Sequence, residues 1–354
     1  EIGAVETARL SAAAQRGIET LQQRAASATF AADGLPEVST VKFHVTGSSQ
    51  QDGAVDIDTD YSYKLAVDGS TGEVNIFASS VYGAMYGMES LVQLADHVTG
   101  VLPHSTVTLT DTAQYNWRGL MIDSGRRFFP VDLVKNLLDT MAAVKMNVLH
   151  LHASDMCRFG VESKLHPELT ESLTGIKAGY YSQDDIAELE AYANSKGIRL
   201  VPEFDVPGHS RGFRPIQGID FCTTDDSQSQ LYGSNATYDI VHDVLKEMSG
   251  LFSDKVFNIG CDETAAKGVC TVESTFDFER RIFEAIATEF GKTPEGWEEA
   301  YFDAGAATNK TIVNAWARHT ASEIVNAGFQ AVESKDSAFY FTEAAPGGPE
   351  GWDR

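Results

Sequence analysis

Asp262 and Glu263 stand side by side at the end of the apolar run Val256-Phe257-Asn258-Ile259-Gly260-Cys261. Such a run reads as a buried strand, where ionised carboxylates cost stability unless they are compensated. One carboxyl that carries a proton beside one that stays charged is equipment for acid–base catalysis. A solvated loop or an acidic helix start would hold the same two residues, so the pair gains meaning from its company. Arg118 and Asp123 flank the run Gly119–Ile122, and His150, His152 and Asp155 mark the end of the next. Glu203, Asp205 and His209 follow Ile198–Phe204, while Trp297, Trp316, Tyr340 and Trp352 lie further along. Carboxylates with aromatic rings suit a sugar: rings stack on its C–H faces, acidic and basic groups bind its hydroxyls, and one carboxyl protonates a glycosidic oxygen. His and Asp also suit a metal ion, but their separations offer no compact ligand motif, so no metal is expected.

Strand-like runs alternate with helical ones after Trp117. Leu133, Val134, Leu137, Leu138 and Met141 line one helix face, and Val241, Val244, Leu245, Met248 and Leu251 line another. About seven strand candidates over roughly 240 residues fit a (β/α)8 barrel, whose active sites sit at the strand C-terminal ends. Residues 1–113 form a separate small α+β domain: a helix at Ala4–Arg24, strands near Val41–Val45, Tyr63–Val67 and Glu73–Ala78, and a helix over Ser80–Leu94. The expected division is therefore an accessory domain over 1–113 and a catalytic barrel over 114–354. No eighth strand is visible, so another segment is expected to close the barrel.

The chain has 354 residues and a formal net charge of −24, which disfavours nucleic acid and anionic membranes as partners. No apolar run is long enough to span a bilayer. The sequons at Asn235 and Asn309, the four cysteines and a start without Met favour a secreted or lysosomal/vacuolar protein whose leader was removed. Cys157, Cys222, Cys261 and Cys270 lack zinc-type spacing; disulfides are the expected use, with three pairings open.

Several segments resemble one enzyme family in order along nearly the whole chain. Arg118-Gly-Leu-Met-Ile-Asp-Ser-Gly-Arg126, Asn147–Asp155, Gly197–His209 and Ile259–Glu263 resemble the first four barrel strands of family 20 glycoside hydrolases, the β-N-acetylhexosaminidases. Tyr63-Lys-Leu65 and Glu89–Leu94 resemble their accessory domain. The resemblance implies exo-acting removal of terminal N-acetylglucosamine or N-acetylgalactosamine, from glycans or chitooligosaccharides, by a substrate-assisted retaining route without cofactor. It implies Glu263 as acid and then base, with a pKa raised by burial and by its acidic neighbour, and Asp262 as partner of the acetamido N–H. It further implies Arg118 on the sugar hydroxyls, Asp155 and His209 as support, Trp297, Trp316 and Trp352 as pocket walls, and Tyr340 on the acetamido carbonyl. A Cys222–Cys270 bridge and a possible homodimer follow from the same resemblance.

Departures from the family pattern are Asn258 and Cys261 before the acidic pair, Met156 after Asp155, and Thr342 after Tyr340. Cys157 and Cys261 both fall at unusual positions on one rim, and a second bridge between them is expected. A disaccharide-releasing relative, or a catalytically impaired sugar binder, are the alternative readings.

Overall fold

The computed structural model describes residues 3–27, 38–47, 55–98, 101–102, 106–175, 178–223, 230–308 and 310–341. Asn309, Thr342 and Trp352, singled out above, lie outside the described residues. These fall into two compact units: Glu1–Leu120 with Asp132–Leu149 and Leu189–Arg199, and Met121–Val131 with His150–Glu188 and Leu200–Arg354.

The first unit begins with α1 (Ala4–Ser27), β1 (Thr40–Val45), β2 (Tyr63–Asp68), β3 (Glu73–Ala78), α2 (Val81–Leu94) and β4 (Thr106–Asp111). The strands form one sheet in the order β1-β3-β2-β4, with β1 parallel to β3 and the other pairs antiparallel. Period-two alternation explains it: Tyr63, Leu65 and Val67 of β2 and Val74 and Ile76 of β3 are buried, while Lys64 and Phe77 are exposed. That inner face packs with α2, nearly all of which is buried, and with Leu10 and Ala13 of α1. Ser80 caps α2 by accepting the Gly83 N–H. The strand β4 went unforeseen, because Thr-Val-Thr-Leu-Thr-Asp is mostly polar and only its alternate residues are half-buried.

The rest of the chain alternates: β5 (Gly119–Asp123), α3 (Val131–Ala143), β6 (Val148–Ser154), α4 (Glu168–Glu171), α5 (Gln183–Ser195), β7 (Arg199–Phe204), α6 (Asn235–Leu251), β8 (Val256–Asn258), α7 (Val272–Thr288), β9 (Thr293–Trp297), α8 (Glu298–Phe302), β10 (Ile312–Ala315), α9 (Ala321–Asn326), β11 (Gln330–Glu333) and α10 (Asp336–Phe339). Strands β5 to β11 form one seven-stranded sheet in strictly sequential order. The pairs from β7 to β11 are parallel. Sequential parallel order with intervening helices is the wall of a (β/α) barrel. Strands β6, β7 and β8 are buried at every residue, as a sheet covered on both faces requires. Phe204 stacks on Phe159 at 5.2 Å and on Phe257 at 5.8 Å in the core of the second unit. Each buried ring of this kind stabilises by about 2 kcal/mol.

The strand β9 went unseen in the sequence. Thr-Pro-Glu-Gly-Trp contains a proline, a glycine and a carboxylate, which together read as a loop. It forms because β8 and β10 pair on its two sides and bury Pro294 through Trp297.

Cys222 and Cys270 are bridged. The expected Cys157–Cys261 bridge is absent: both thiols are free, Cys157 half-buried and Cys261 fully buried. The reason is local, since the Cys261 Sγ turns inward to donate to the Val206 carbonyl at 3.0 Å. Asn235 is exposed at the start of α6, but Thr237 of its sequon is buried, with its N–H on the capping hydroxyl of Ser234. Cap chemistry thus accounts for part of that motif.

Candidate active site

The turn after β8 aims Asp262 and Glu263. Gly260, Cys261 and Glu263 have φ of +67°, +68° and +51°, the left-handed region that L side chains rarely enter. The Asn258 Oδ1 accepts the Gly260 N–H at 2.8 Å, and the Asp205 Oδ1 accepts the Cys261 N–H at 3.3 Å. A Cβ on Gly260 would come within 2.0 Å of that Asp205 oxygen, so only glycine fits. The Gly260 carbonyl accepts the Trp297 N–H at 2.8 Å, tying the turn to β9. Strained non-glycine backbone held from several sides is typical of functional turns.

His209 is the hub. Its Nε2 lies 3.1 Å from Glu263 Oε2 and 3.5 Å from Asp262 Oδ2, and its Nδ1 lies 3.5 Å from Asp155 Oδ2. Its own φ is +47°, which turns the ring from the end of β7 toward the acidic pair. Asp155 Oδ2 also meets His152 Nε2 at 2.9 Å and Arg126 Nη2 at 2.9 Å, while Arg126 Nη1 donates to Asp123 at 2.7 Å. His150 and His152, two apart on β6, share a side and approach one carboxylate: Glu203 Oε2 is 2.7 Å from His150 Nε2 and 3.0 Å from His152 Nδ1. The other oxygen of Glu203 accepts the Trp297 indole N–H at 2.9 Å.

The charges follow from these contacts. Burial opposes ionisation of Asp155, but hydrogen bonds from His152 and His209 outweigh it and hold the carboxyl well below its usual range. His209 is raised far above an ordinary imidazole: burial works against its charge, yet Asp155, Asp262 and Glu263 all favour the cation. Burial and then the charge of Asp262 push the Asp205 carboxyl well above the usual carboxylate range. Glu263 contradicts expectation. Its hydrogen bond to His209 comes first and lowers the pKa, with burial opposing. Raising it needs burial, and the Glu263 side chain is 58% exposed.

Three sequence expectations meet on one aromatic edge. Trp297 and Trp316 pack edge to face at 6.4 Å, and Tyr340 stacks on Trp316 at 6.4 Å. The Trp316 indole donates to Glu299, whose carboxyl is pushed up to about 7 by burial. Glu298, wholly buried, accepts the backbone N–H groups of Trp316 (3.2 Å), Arg318 (2.5 Å) and His319 (3.1 Å), fixing the loop after β10.

Arg118 is a correction. It stands before β5, at the end opposite to the strand C-terminus, and its guanidinium is consumed there. It donates to Tyr115 O at 2.6 Å, Lys145 O at 2.8 Å and the Tyr86 hydroxyl at 2.9 Å, and lies over the Tyr61 ring. The site's arginine is Arg126, just past the C-terminal end of β5. It lay in the same motif, and the rule that chemistry gathers at strand C-terminal ends distinguishes the two.

The separations in sequence also understated how closely ligand-type groups converge. Oxygen and nitrogen atoms of Asp123, His152 and Asp155, of Asp155, Asp205 and His209, and of two further such triplets lie within 4.8 Å of one another. Arg126 and the charged imidazoles already supply the positive charge that a cation would bring there.

Comparison with known proteins settles the family. Residues 115–351 match "Glycosyl hydrolase family 20, catalytic domain", and residues 6–94 match "beta-acetyl hexosaminidase like". The chain belongs to glycosyl hydrolase family 20. It is 30% identical over 322 residues to β-hexosaminidase subunit A1 of Dictyostelium discoideum, covering 83% of this chain and 59% of that protein. Human β-hexosaminidase subunit β is 28% identical, with 79% and 54% covered. Among solved structures, a Flavobacterium johnsoniae chitobiase gives a TM-score of 0.75 at 27% identity, covering 92% of this chain and 54% of that one. A family 20 β-N-acetylglucosaminidase gives 0.74 at 26% identity, with 95% and 72% covered. This family 20 chain thus spans about six-tenths of the length of the curated relatives it matches. Its catalytic part has their (β/α) barrel fold, preceded by the small α+β domain.

Proposed function

We propose that this family 20 chain hydrolyses terminal β-linked N-acetylhexosamines by an exo-acting, substrate-assisted retaining route. The observation that carries the reading is the pair Asp262 and Glu263, both held on one charged imidazole, that of His209. Asp262 Oδ1 is buried and accepts no hydrogen bond among the described residues, so it offers an acceptor for an acetamido N–H. Held there, the acetamido oxygen attacks the anomeric carbon as the bond to the leaving oxygen breaks, and Glu263 gives that oxygen its proton. The resulting oxazolinium cation rests beside the Asp262 carboxylate. Glu263 then removes a proton from water, which attacks the same carbon, reopens the ring and completes retention.

Glu263 is ionised and half-exposed in the free enzyme. A bound sugar strips its water and raises its pKa, which makes it an acid only when substrate is present. Arg126, fixed by two carboxylates, presents its fork to ring hydroxyls. Trp297 and Trp316 wall the acetamido and the ring, and Tyr340 donates to the acetamido carbonyl. N-acetylglucosamine is named as the bound product in a Streptomyces plicatus hexosaminidase, 25% identical with a TM-score of 0.68, which supports the sugar class. A secreted or lysosomal setting accords with the acidic surface and the bridge; no helix among the described residues is long and apolar enough to cross a membrane.

The test is release of chromophore from an aryl N-acetyl-β-glucosaminide by the full-length protein. The expected outcome is turnover that falls by about 10²-fold or more in Glu263→Gln, the usual worth of a general acid. Absence of turnover by the unsubstituted protein would support the sugar-binding alternative instead.

A further inference from the structure

Beneath the acidic pair, carboxylates and imidazoles alternate without a break. Glu203 meets His152 at 3.0 Å, His152 meets Asp155 at 2.9 Å, Asp155 meets His209 at 3.5 Å, and His209 meets Glu263 at 3.1 Å. Glu203 is wholly buried at the far end of this series, where its partners among the described residues are Trp297, His150 and His152. Its two oxygens face different tasks. One accepts the indole N–H of Trp297, and the other lies between His150 and His152.

We propose that Glu203 is a positioning residue for the hydrolysis, coupling the seat of the acetamido group at Trp297 to the protonation of Glu263 at the opposite end of the chain; this rests on the reading above. The argument is one of valence. Trp297 offers only a donor, and both imidazoles turn a nitrogen toward Glu203, so the position calls for acceptors on both of its ends. A carboxylate provides them; an amide provides one acceptor and one donor, so glutamine satisfies the indole or the imidazoles but not both. Burial opposes charge on His152, but Glu203 first and then Asp123 and Asp155 favour the imidazolium, which bonds Asp155, the anion that holds His209. His209 in turn sets how readily Glu263 takes up the proton that it must deliver.

Other charged groups face this chain and are constant in the comparison below. They are Asp123 at the end of β5 and Arg126 beyond it, Asp205 just after β7, Asp262 on the turn after β8, and Tyr340, whose hydroxyl feels Asp262 and Glu203. Asp123 and Asp155 still flank His152 when Glu203 is neutral, so that imidazolium persists and the cluster becomes one charge more positive. A more positive surrounding favours the ionised form of Glu263.

The experiment compares pH profiles of kcat and KM on the aryl N-acetyl-β-glucosaminide for the full-length protein, Glu203→Gln and Trp297→Phe. Glu203→Gln is expected to lower kcat roughly tenfold and to move the alkaline limb of kcat about half a pH unit downward. Trp297→Phe removes the indole N–H and part of the ring surface but leaves Glu203 charged, and is expected to raise KM and leave the limb in place. A folded Glu203→Gln protein with an unmoved limb overturns the proposal, as does an equal shift in Trp297→Phe. If Glu203→Gln fails to fold, the indole ¹⁵N–¹H resonance of Trp297 in the unsubstituted protein saturated with N-acetylglucosamine, assigned with Trp297→Phe, takes its place. It is expected to shift with the midpoint of the alkaline limb, and a resonance unchanged across that limb overturns the coupling. The unsubstituted protein's rate judges the hydrolase reading separately, because the resonance titrates whether or not substrate turns over.

Discussion

Two arginines in one nine-residue motif have opposite fates, and substitution separates them. Arg118 packs on Tyr61 and Tyr86 and bonds two backbone carbonyls, so Arg118→Met is expected to lower the melting temperature while kcat/KM per folded molecule stays within about twofold. Arg126 holds Asp123 and Asp155 and lies against His209, so on the proposed reading Arg126→Lys is expected to reduce kcat/KM about tenfold or more, since an ammonium cannot fork. Thermal unfolding and steady-state kinetics on both proteins check this, and equal kinetic losses would restore Arg118 to the site. The acidic pair was legible in sequence because carboxylates at the end of an apolar strand stand out. Arg126 was not distinguished, because composition does not record which end of a strand carries the chemistry. The low pKa of Glu263 was equally hidden: it depends on an imidazole fifty-four residues away.

At the scale of elements, the site depends on turns more than on strands. Glu298 opens α8 and, itself wholly buried, collects three backbone donors from the loop that carries Trp316. Glu298→Ala leaves those donors without an acceptor, which is expected to cost about 3 kcal/mol and to loosen Trp316. Denaturant unfolding followed by tryptophan fluorescence would show it as a lowered midpoint with red-shifted native emission; an unchanged midpoint would mean the loop is held by other means. Most elements were legible: α3 and α6 from apolar residues three and four apart, β2 and β3 as short strand-like runs. The strand β9 was not, because its pairing with β8 and β10 overrides a local sequence of turn-forming residues. The cysteine expectation failed on the same kind of ground: neighbouring rim positions do not fix side-chain direction, and Cys261 points inward.

For the whole molecule, stability is expected to peak in mild acid. Asp155 and Glu203 are held below their unfolded values, so their contribution is present above about pH 4 and is lost as pH falls further. His152 and His209 are raised, so their contribution is complete below about pH 6.5 and declines as pH rises past it. Glu279, on the buried face of α7 and pushed up to about 8 by burial, works in the same sense between the ordinary carboxylate value of 4.5 and 8, because the unfolded chain ionises there and the folded one does not. Its loss over that window is on the order of 4 kcal/mol. A formal charge of −24 at pH 7 adds self-repulsion that acid relieves. Melting temperatures are therefore expected to be highest between about pH 4.5 and 6.5, with a shallower decline toward pH 8 in Glu279→Gln. A maximum at pH 8 would contradict these assignments.

The claim on which everything else rests is that the substrate's own acetamido group is the nucleophile, oriented by Asp262 and assisted by Glu263. The most direct measurement compares kcat/KM for an aryl N-acetyl-β-glucosaminide with that for the aryl β-glucoside lacking the acetamido group, in the unsubstituted protein and in Asp262→Asn. The account predicts turnover of the acetamido sugar alone, reduced about 10²-fold or more by Asp262→Asn. Comparable hydrolysis of the plain glucoside, or an acetamido preference untouched by Asp262→Asn, would contradict it.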